Sequence, residues 1–171
     1  VFSGLVAELT IAGGIAEDVL TVPLTAVMGA ADTGIAYVIG NVIVQSADSE
    51  NSKMVAFGAE GQRYEQNALY MAHNTLVNER PAGTFVNVWL ERFSTPVEVW
   101  GINNLLVGEG DFNLPAQGRF EGNERLARGA LIEQDGVPTR LPTQSPLRGS
   151  VRLPGQAGAV NLAPTAEFVF P

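Results

Sequence analysis

Side-chain character alternates with period two along much of the chain, the signature of half-buried strands. Leu5, Ala7, Leu9 and Ile11 share one face, with Val6, Glu8 and Thr10 on the other. Val19 to Val22 is a short β-rich stretch, and Pro23 places it at an edge or bulge. The run 35–39 meets Gly40-Asn41 and then Val42-Ile43-Val44-Gln45. Glycine supplies the positive φ of a type II′ turn, so this segment predicts a tight β-hairpin. Lys53 to Gly58 reads as a short strand, and Asn67 to Val77 as strand or short helix. Val86, Val88 and Leu90 fall on one face, opposite Phe85, Asn87, Trp89, Glu91 and Phe93. Val97 and Val99 then oppose Glu98 and Trp100, with Ser94-Thr95-Pro96 turning a corner or hairpin between the two runs. Ile102 to Val107 extends the apolar stretch.

Gly108 to Gly118 is a Gly/Pro/Asn loop. Residues 123–133 fit a short helix capped by Asn123, but a second hairpin is preferred, 130–134 with an Asp135-Gly136 turn and a strand from Val137. Pro138, Pro142, Pro146 and Pro154 rule out a central strand and predict an extended arm or surface loop over 136–156. Glu167 to Phe170 closes the chain with one more alternating segment. No internal repeat of 20–50 residues and no low-complexity tract is evident. About nine short strands without a long helix predict a single all-β domain over 1–171, an antiparallel β-sandwich or jelly-roll-like barrel of eight to nine strands.

Composition sharpens this picture. At 171 residues and 46% hydrophobic, the chain can bury a full core. Charged residues are only 16%, against about 25% in an ordinary domain. That shortfall predicts that part of the surface is covered, for instance by a sister subunit; a polar uncharged exterior is the other reading. There is no cysteine, which excludes disulfides, thiolate metal sites and cysteine nucleophiles. No apolar run is long enough for a membrane helix, and Val1 is not followed by a signal-peptide pattern. Acidic groups crowd residues 1–52, where Lys and Arg are absent, and arginines crowd 116–171. With a net charge of −8, the chain is unsuited to nucleic acid as its main ligand.

Candidate chemistry is sparse. His73 is the sole histidine, so any triad would use it, yet no G-x-S-x-G elbow exists. Its ordinary reading is a surface or hydrogen-bonded structural residue, and one histidine makes no His-cluster zinc site. Glu91 and Glu98, placed beside Trp89 and Trp100 on one face, have the composition of a sugar cleft and also of a plain amphipathic face. The 108–113 and 48–51 loops offer too few oxygens for calcium, and Gly108-Glu109-Gly110 lacks the strand-turn-helix context of a nucleotide site. No catalytic residue, metal or cofactor is implied. Phe85, Trp89, Phe93 and Trp100, with Arg140, Arg148 and Arg152 on the arm, form a candidate interface.

The length, short strands, absent cysteine and proline-studded arm together resemble a single-jelly-roll viral capsid protein. That resemblance implies a non-enzymatic, self-assembling shell subunit of the virion. Its partners would be copies of itself, a second capsid protein or an underlying membrane, with no specific nucleic acid and no small-molecule substrate. A carbohydrate-binding or glycan-active sandwich is the first alternative. A periplasmic adaptor or extracellular surface-polymer subunit is the second, since Glu17 to Val27 resembles a strand segment of periplasmic membrane-fusion adaptors; their coiled-coil hairpin and lipoyl parts have no counterpart here.

Overall fold

A computed structural model describes residues 27–29, 33–134, 137–150 and 153–163. The predicted strands at 5–11, 19–22 and 167–170 lie outside these residues.

The chain winds through successive coils, each contributing one strand to each of three sheets. The first coil is β2 (Gly34–Ile39), β3 (Val42–Gln45) and β4 (Lys53–Phe57). The second is β5 (Asn67–Ala72), β6 (Thr75–Asn78) and β7 (Thr84–Val88). The third is β8 (Val97–Ile102), β9 (Leu105–Val107) and β10 (Asp111–Asn113). A shortened fourth coil has β11 (Arg119–Glu121) and β12 (Glu124–Leu126). Sheet 1 is ordered β2-β5-β8-β11, sheet 2 β3-β6-β9-β12 and sheet 3 β4-β7-β10, all with parallel pairing. β1 (Val27–Gly29) adds to the free edge of sheet 1 beside β2 in the antiparallel sense.

The expected antiparallel sandwich is therefore wrong: this is a parallel β-solenoid. Period-two alternation is common to both architectures, and the error arose at Gly40-Asn41. These residues do not reverse the chain. Gly40 has φ 69°, and the chain bends there from sheet 1 into sheet 2, so β2 and β3 never pair. His73-Asn74, Asn103-Asn104 and Gly122-Asn123 turn the same corner in later coils. A repeat is thus present after all, in unequal steps of 33, 30 and 19 residues. The predicted link at 94–96 is a corner too, leading from sheet 3 to sheet 1. Asn67 to Val77 is wholly strand and corner, without helix.

The interior holds Leu69, Met71, Leu76, Phe85, Val86, Val99 and Leu106, each at most 2% exposed. Burying each such side chain contributes about 1.5–3 kcal/mol. Beside this apolar column runs a polar one, Asn41, Asn74, Asn104 and Asn123, at the corner between sheets 1 and 2. Asn74 and Asn104 are fully buried. Buried amides are tolerated only when their hydrogen bonds are made, and these are made coil to coil. Asn104 Oδ1 accepts from the backbone N–H and side-chain amide of Asn74, at 3.1 and 2.8 Å. Asn74 Oδ1 accepts from the same two groups of Asn41, and Asn123 Oδ1 from those of Asn104. Each amide nitrogen also returns to a strand carbonyl one coil back: Asn74 to Val38, Asn104 to Met71, Asn123 to Gly101.

The remaining described chain covers the outside of the solenoid. The predicted second hairpin is present as antiparallel β13 (Ile132–Gln134) and β14 (Val137–Arg140). Leu131 and Leu141, flanking it, pack on the outer side of sheet 2 with Val44, Val77, Leu105, Val107 and Leu126. A turn-rich loop over 141–150 follows. The short pair β15 (Gln156–Ala157) and β16 (Val160–Asn161) then lies on the outer side of sheet 1, where Ala157, Val160 and Leu162 pack with Tyr37, Tyr70, Trp100 and Ile102. Part of the proline arm thus lies against its own solenoid. That accounts for apolar residues on both faces of the strands and agrees with a sparsely charged exterior.

Candidate functional site

The corner between sheets 1 and 2 is built the same way in every coil. A first residue with positive φ sits at its crest, followed by an inward asparagine. The crest residues are Gly40, His73, Asn103 and Gly122. Glycine occupies left-handed backbone without steric penalty. His73 (φ 57°) and Asn103 (φ 56°) are the non-glycine exceptions among the described residues, and left-handed backbone costs an L-residue about 1 kcal/mol. The backbone ladder continues through the bend, with Gly40 N donating to Ala72 O, His73 N to Ile102 O and Asn103 N to Glu121 O. The crest is therefore rigid, and its side chains repeat once per coil.

Two adjoining cavities lie between this crest and the 141–150 loop with Leu153. The first, about 240 Å³, is bordered by His73, Thr75 and Leu105 on the solenoid and by Leu141, Leu147 and Arg148 on the loop. The second, about 430 Å³, is bordered by Ile102, Arg119 and Glu121, with Ser150 and Leu153 opposite. Asn103, Gly122 and Glu124 belong to both, so the two form one groove. Leu153 is 82% exposed at its rim. The loop wall is braced from within: the Arg148 guanidinium donates to the carbonyls of Leu141 and Pro142 at 3.1 Å, and Ser150 Oγ donates to Leu147 O at 2.8 Å.

Burial lowers the pKa of His73 below the ordinary histidine value, so the ring is neutral near pH 7. Its Nε2 lies 3.3 Å from Asn103 Nδ2. An amide nitrogen only donates, so Nε2 accepts and the ring proton sits on Nδ1. Arg119 is committed to Glu121 (2.8 Å), to Pro154 O (2.7 Å) and to the face of Trp100 (5.2 Å). The Glu124 side chain is exposed, and its carboxylate has no hydrogen-bond or ion-pair partner among the described residues. The groove thus offers an imidazole, an exposed carboxylate and a serine hydroxyl beside apolar Leu105 and Leu153.

The candidate interface residues do not form one surface. Phe85 is buried in the interior. Trp89, at the corner leaving sheet 3, lies within 5.9 Å of Lys53 Nζ and 5.7 Å of the Arg92 guanidinium. Phe93 stacks on Phe57 at 5.8 Å. Trp100 is on the outer side of sheet 1. Arg140 is exposed at the end of β14, Arg148 braces the groove, and Arg152 lies outside the described residues. The proposed acid pair is split as well. Glu91 is exposed in a 3-10 turn between sheets 3 and 1. Glu98 is on sheet 1, accepting from the Tyr70 hydroxyl at 2.5 Å. Burial and the Glu98 hydrogen bond push the Tyr70 phenol well above its usual pKa.

Tyr37, Tyr70 and Trp100 sit in register on neighbouring strands, their rings 5.2 and 5.3 Å apart. Such a row would suit a sugar face, but β15 and β16 already cover it. Loop 48–51 turns the chain between sheets 2 and 3, and Gly108 to Gly110 does the same two coils later. Among the described residues no three His, Asp or Glu side chains gather as a metal site.

The groove has a signal in the chain that strand periodicity does not expose. Ile39-Gly-Asn-Val-Ile-Val44, Ala72-His-Asn-Thr-Leu-Val77 and Ile102-Asn-Asn-Leu-Leu-Val107 are one corner written three times. The fold defines the chain as a parallel β-solenoid whose crest carries a polar groove. Beyond that class, comparison with protein-family models, curated proteins and solved structures finds no match.

Proposed function

We propose that this chain is a carbohydrate-binding β-solenoid and that the groove along the crest holds the glycan. The observation that carries this reading is the pair of side chains kept in left-handed backbone. Glycine serves at Gly40 and Gly122, whereas His73 and Asn103 hold the same conformation at a steric cost and border the groove. Strain of this kind collects where a side chain has a use. A neutral imidazole, an amide floor, a hydroxyl and a carboxylate match sugar hydroxyls, while Leu105 and Leu153 match the apolar faces of sugar rings. The net charge of −8 weighs against a polyanion such as nucleic acid.

The shell-subunit reading rests on chain length, short strands, absent cysteine, low charge and the proline-studded arm, and it expects an antiparallel sandwich that assembles through one aromatic face. The sheets are parallel and that face is divided, so the groove now gives the better-supported account. Affinity electrophoresis through gels carrying different polysaccharides tests it. Retardation by at least one polysaccharide is expected, relieved in His73→Gly, which suits the local backbone. No retardation by any of them, or retardation unchanged in His73→Gly, would overturn the proposal.

A further inference from the structure

We infer that the groove takes an uncharged linear oligosaccharide, laid obliquely across the coils rather than along a strand. This rests on the carbohydrate reading above and adds the direction and charge class of the ligand.

The direction follows from how the two cavities join. The smaller lies over the second and third coils on the sheet 2 side, beside Thr75 and Leu105. The larger lies over the third and fourth coils on the sheet 1 side, beside Ile102 and Arg119. They meet at Asn103, Gly122 and Glu124. A ligand filling both therefore spans two coil-to-coil steps, on the order of 10 Å along the axis, which is the reach of roughly three linked pyranose rings. The braced loop walls the groove at Leu147 on the sheet 2 side. Gly122 keeps the junction low: a Cβ there would come within 2.3 Å of Asn103 Oδ1.

The charge class follows from which ionic groups are already engaged. Arg119 is paired with Glu121 and bonded to Pro154 O. Arg148 directs its guanidinium at two loop carbonyls. Glu124 borders both cavities, and its carboxylate has no partner among the described residues. A uronate carboxylate in the groove would face Glu124 with both arginines committed elsewhere, and like charges at close range repel. A neutral sugar instead offers Glu124 hydroxyl donors, and hydrogen bonds to a carboxylate are the stronger kind.

Calorimetric titration of the full chain tests this with malto-, cello- and manno-oligosaccharides of one to six units and with oligogalacturonates of the same lengths. We expect affinity for one uncharged series to climb up to about three or four units and then level off. It should exceed that for galacturonates at least tenfold, and Glu124→Gln should narrow the gap at least threefold. Equal affinity for monomer and tetramer would overturn the oblique, multi-coil placement. A preference for galacturonates would overturn the charge class. Failure of every oligosaccharide to bind would remove the carbohydrate reading itself, a result distinct from either.

Discussion

Asn74 and Asn104 lie one above the other in the solenoid, side-chain amide to side-chain amide at 2.8 Å, both sealed from solvent. The contact is one rung of a ladder that also fixes backbone groups. Asn104 Oδ1 holds the Asn74 backbone N–H, and Asn104 Nδ2 holds the carbonyl of Met71. Replacing Asn104 by Leu would leave the Asn74 backbone N–H buried and unpaired and take one hydrogen bond from the Met71 carbonyl. An orphaned buried polar group costs about 1–3 kcal/mol, so Asn104→Leu is expected to destabilise by roughly 2–4 kcal/mol. Chemical denaturation measures it. A loss below about 1 kcal/mol would mean that the ladder does not bear on stability.

The crest predicts an inverted order of substitutions. At most positions alanine is tolerated better than glycine. At His73 the backbone is left-handed, so His73→Gly should be more stable than His73→Ala by about 1 kcal/mol. Thermal unfolding of the two variants side by side reads this directly, and the usual order would contradict the assigned backbone.

Two glycines on positive φ should respond unequally to alanine. A Cβ at Gly108 would stand 2.2 Å from the Asn78 carbonyl oxygen, a backbone atom that cannot swing away. At Gly149 nothing lies within 4 Å. Gly149→Ala should cost only the left-handed penalty, about 1 kcal/mol. Gly108→Ala should cost at least twice that, because the coils must also part. Urea midpoints of the two variants provide the test.

The lowered pKa of His73 makes stability depend on pH in a stated sense. Between the folded value and the unfolded value near 6.5, the unfolded chain binds the extra proton. Stability contributed by His73 is therefore complete above about pH 6.5 and declines as the pH falls through that window. His73→Gly should show a flatter dependence than the parent between pH 7 and 5. Parallel slopes would contradict burial as the cause.

The covering strap predicts an optical change. Leu162 is wholly buried against the outer side of sheet 1, in the cluster that includes Trp100. Leu162→Ala should lose about 2–5 kcal/mol and shift tryptophan emission to the red as water reaches Trp100. Pairing with Trp100→Phe assigns the shift, since Trp89 is the only other tryptophan.

Much of this architecture was legible locally and little of it globally. Alternation located β2, β3, β4 and β8, and Asp135-Gly136 pointed to the hairpin of β13 and β14. Pairing sense was not legible, because inward and outward residues alternate identically in parallel and antiparallel strands. Gly40-Asn41 carries the residues of a hairpin turn and of a solenoid corner alike. What separates them is the burial of Asn41 under Asn74, a contact spanning 33 residues. Unequal coils hid the repeat, since steps of 33, 30 and 19 defeat a search for one period. The groove stayed hidden for the same reason: His73 meets Asn103 only after the coils stack, and the 141–150 wall arrives from farther still.

The most direct test of the groove as the binding site is a two-dimensional NMR titration of the isotopically labelled full chain with a neutral oligosaccharide that binds it. Shifts are expected to concentrate at His73, Asn103, Gly122, Glu124 and Gly149, leaving Ala56 and Asn87 on the outer side of sheet 3 unmoved. Shifts centred on sheet 3, or on Trp89 and Phe93, with the crest silent, would contradict the account.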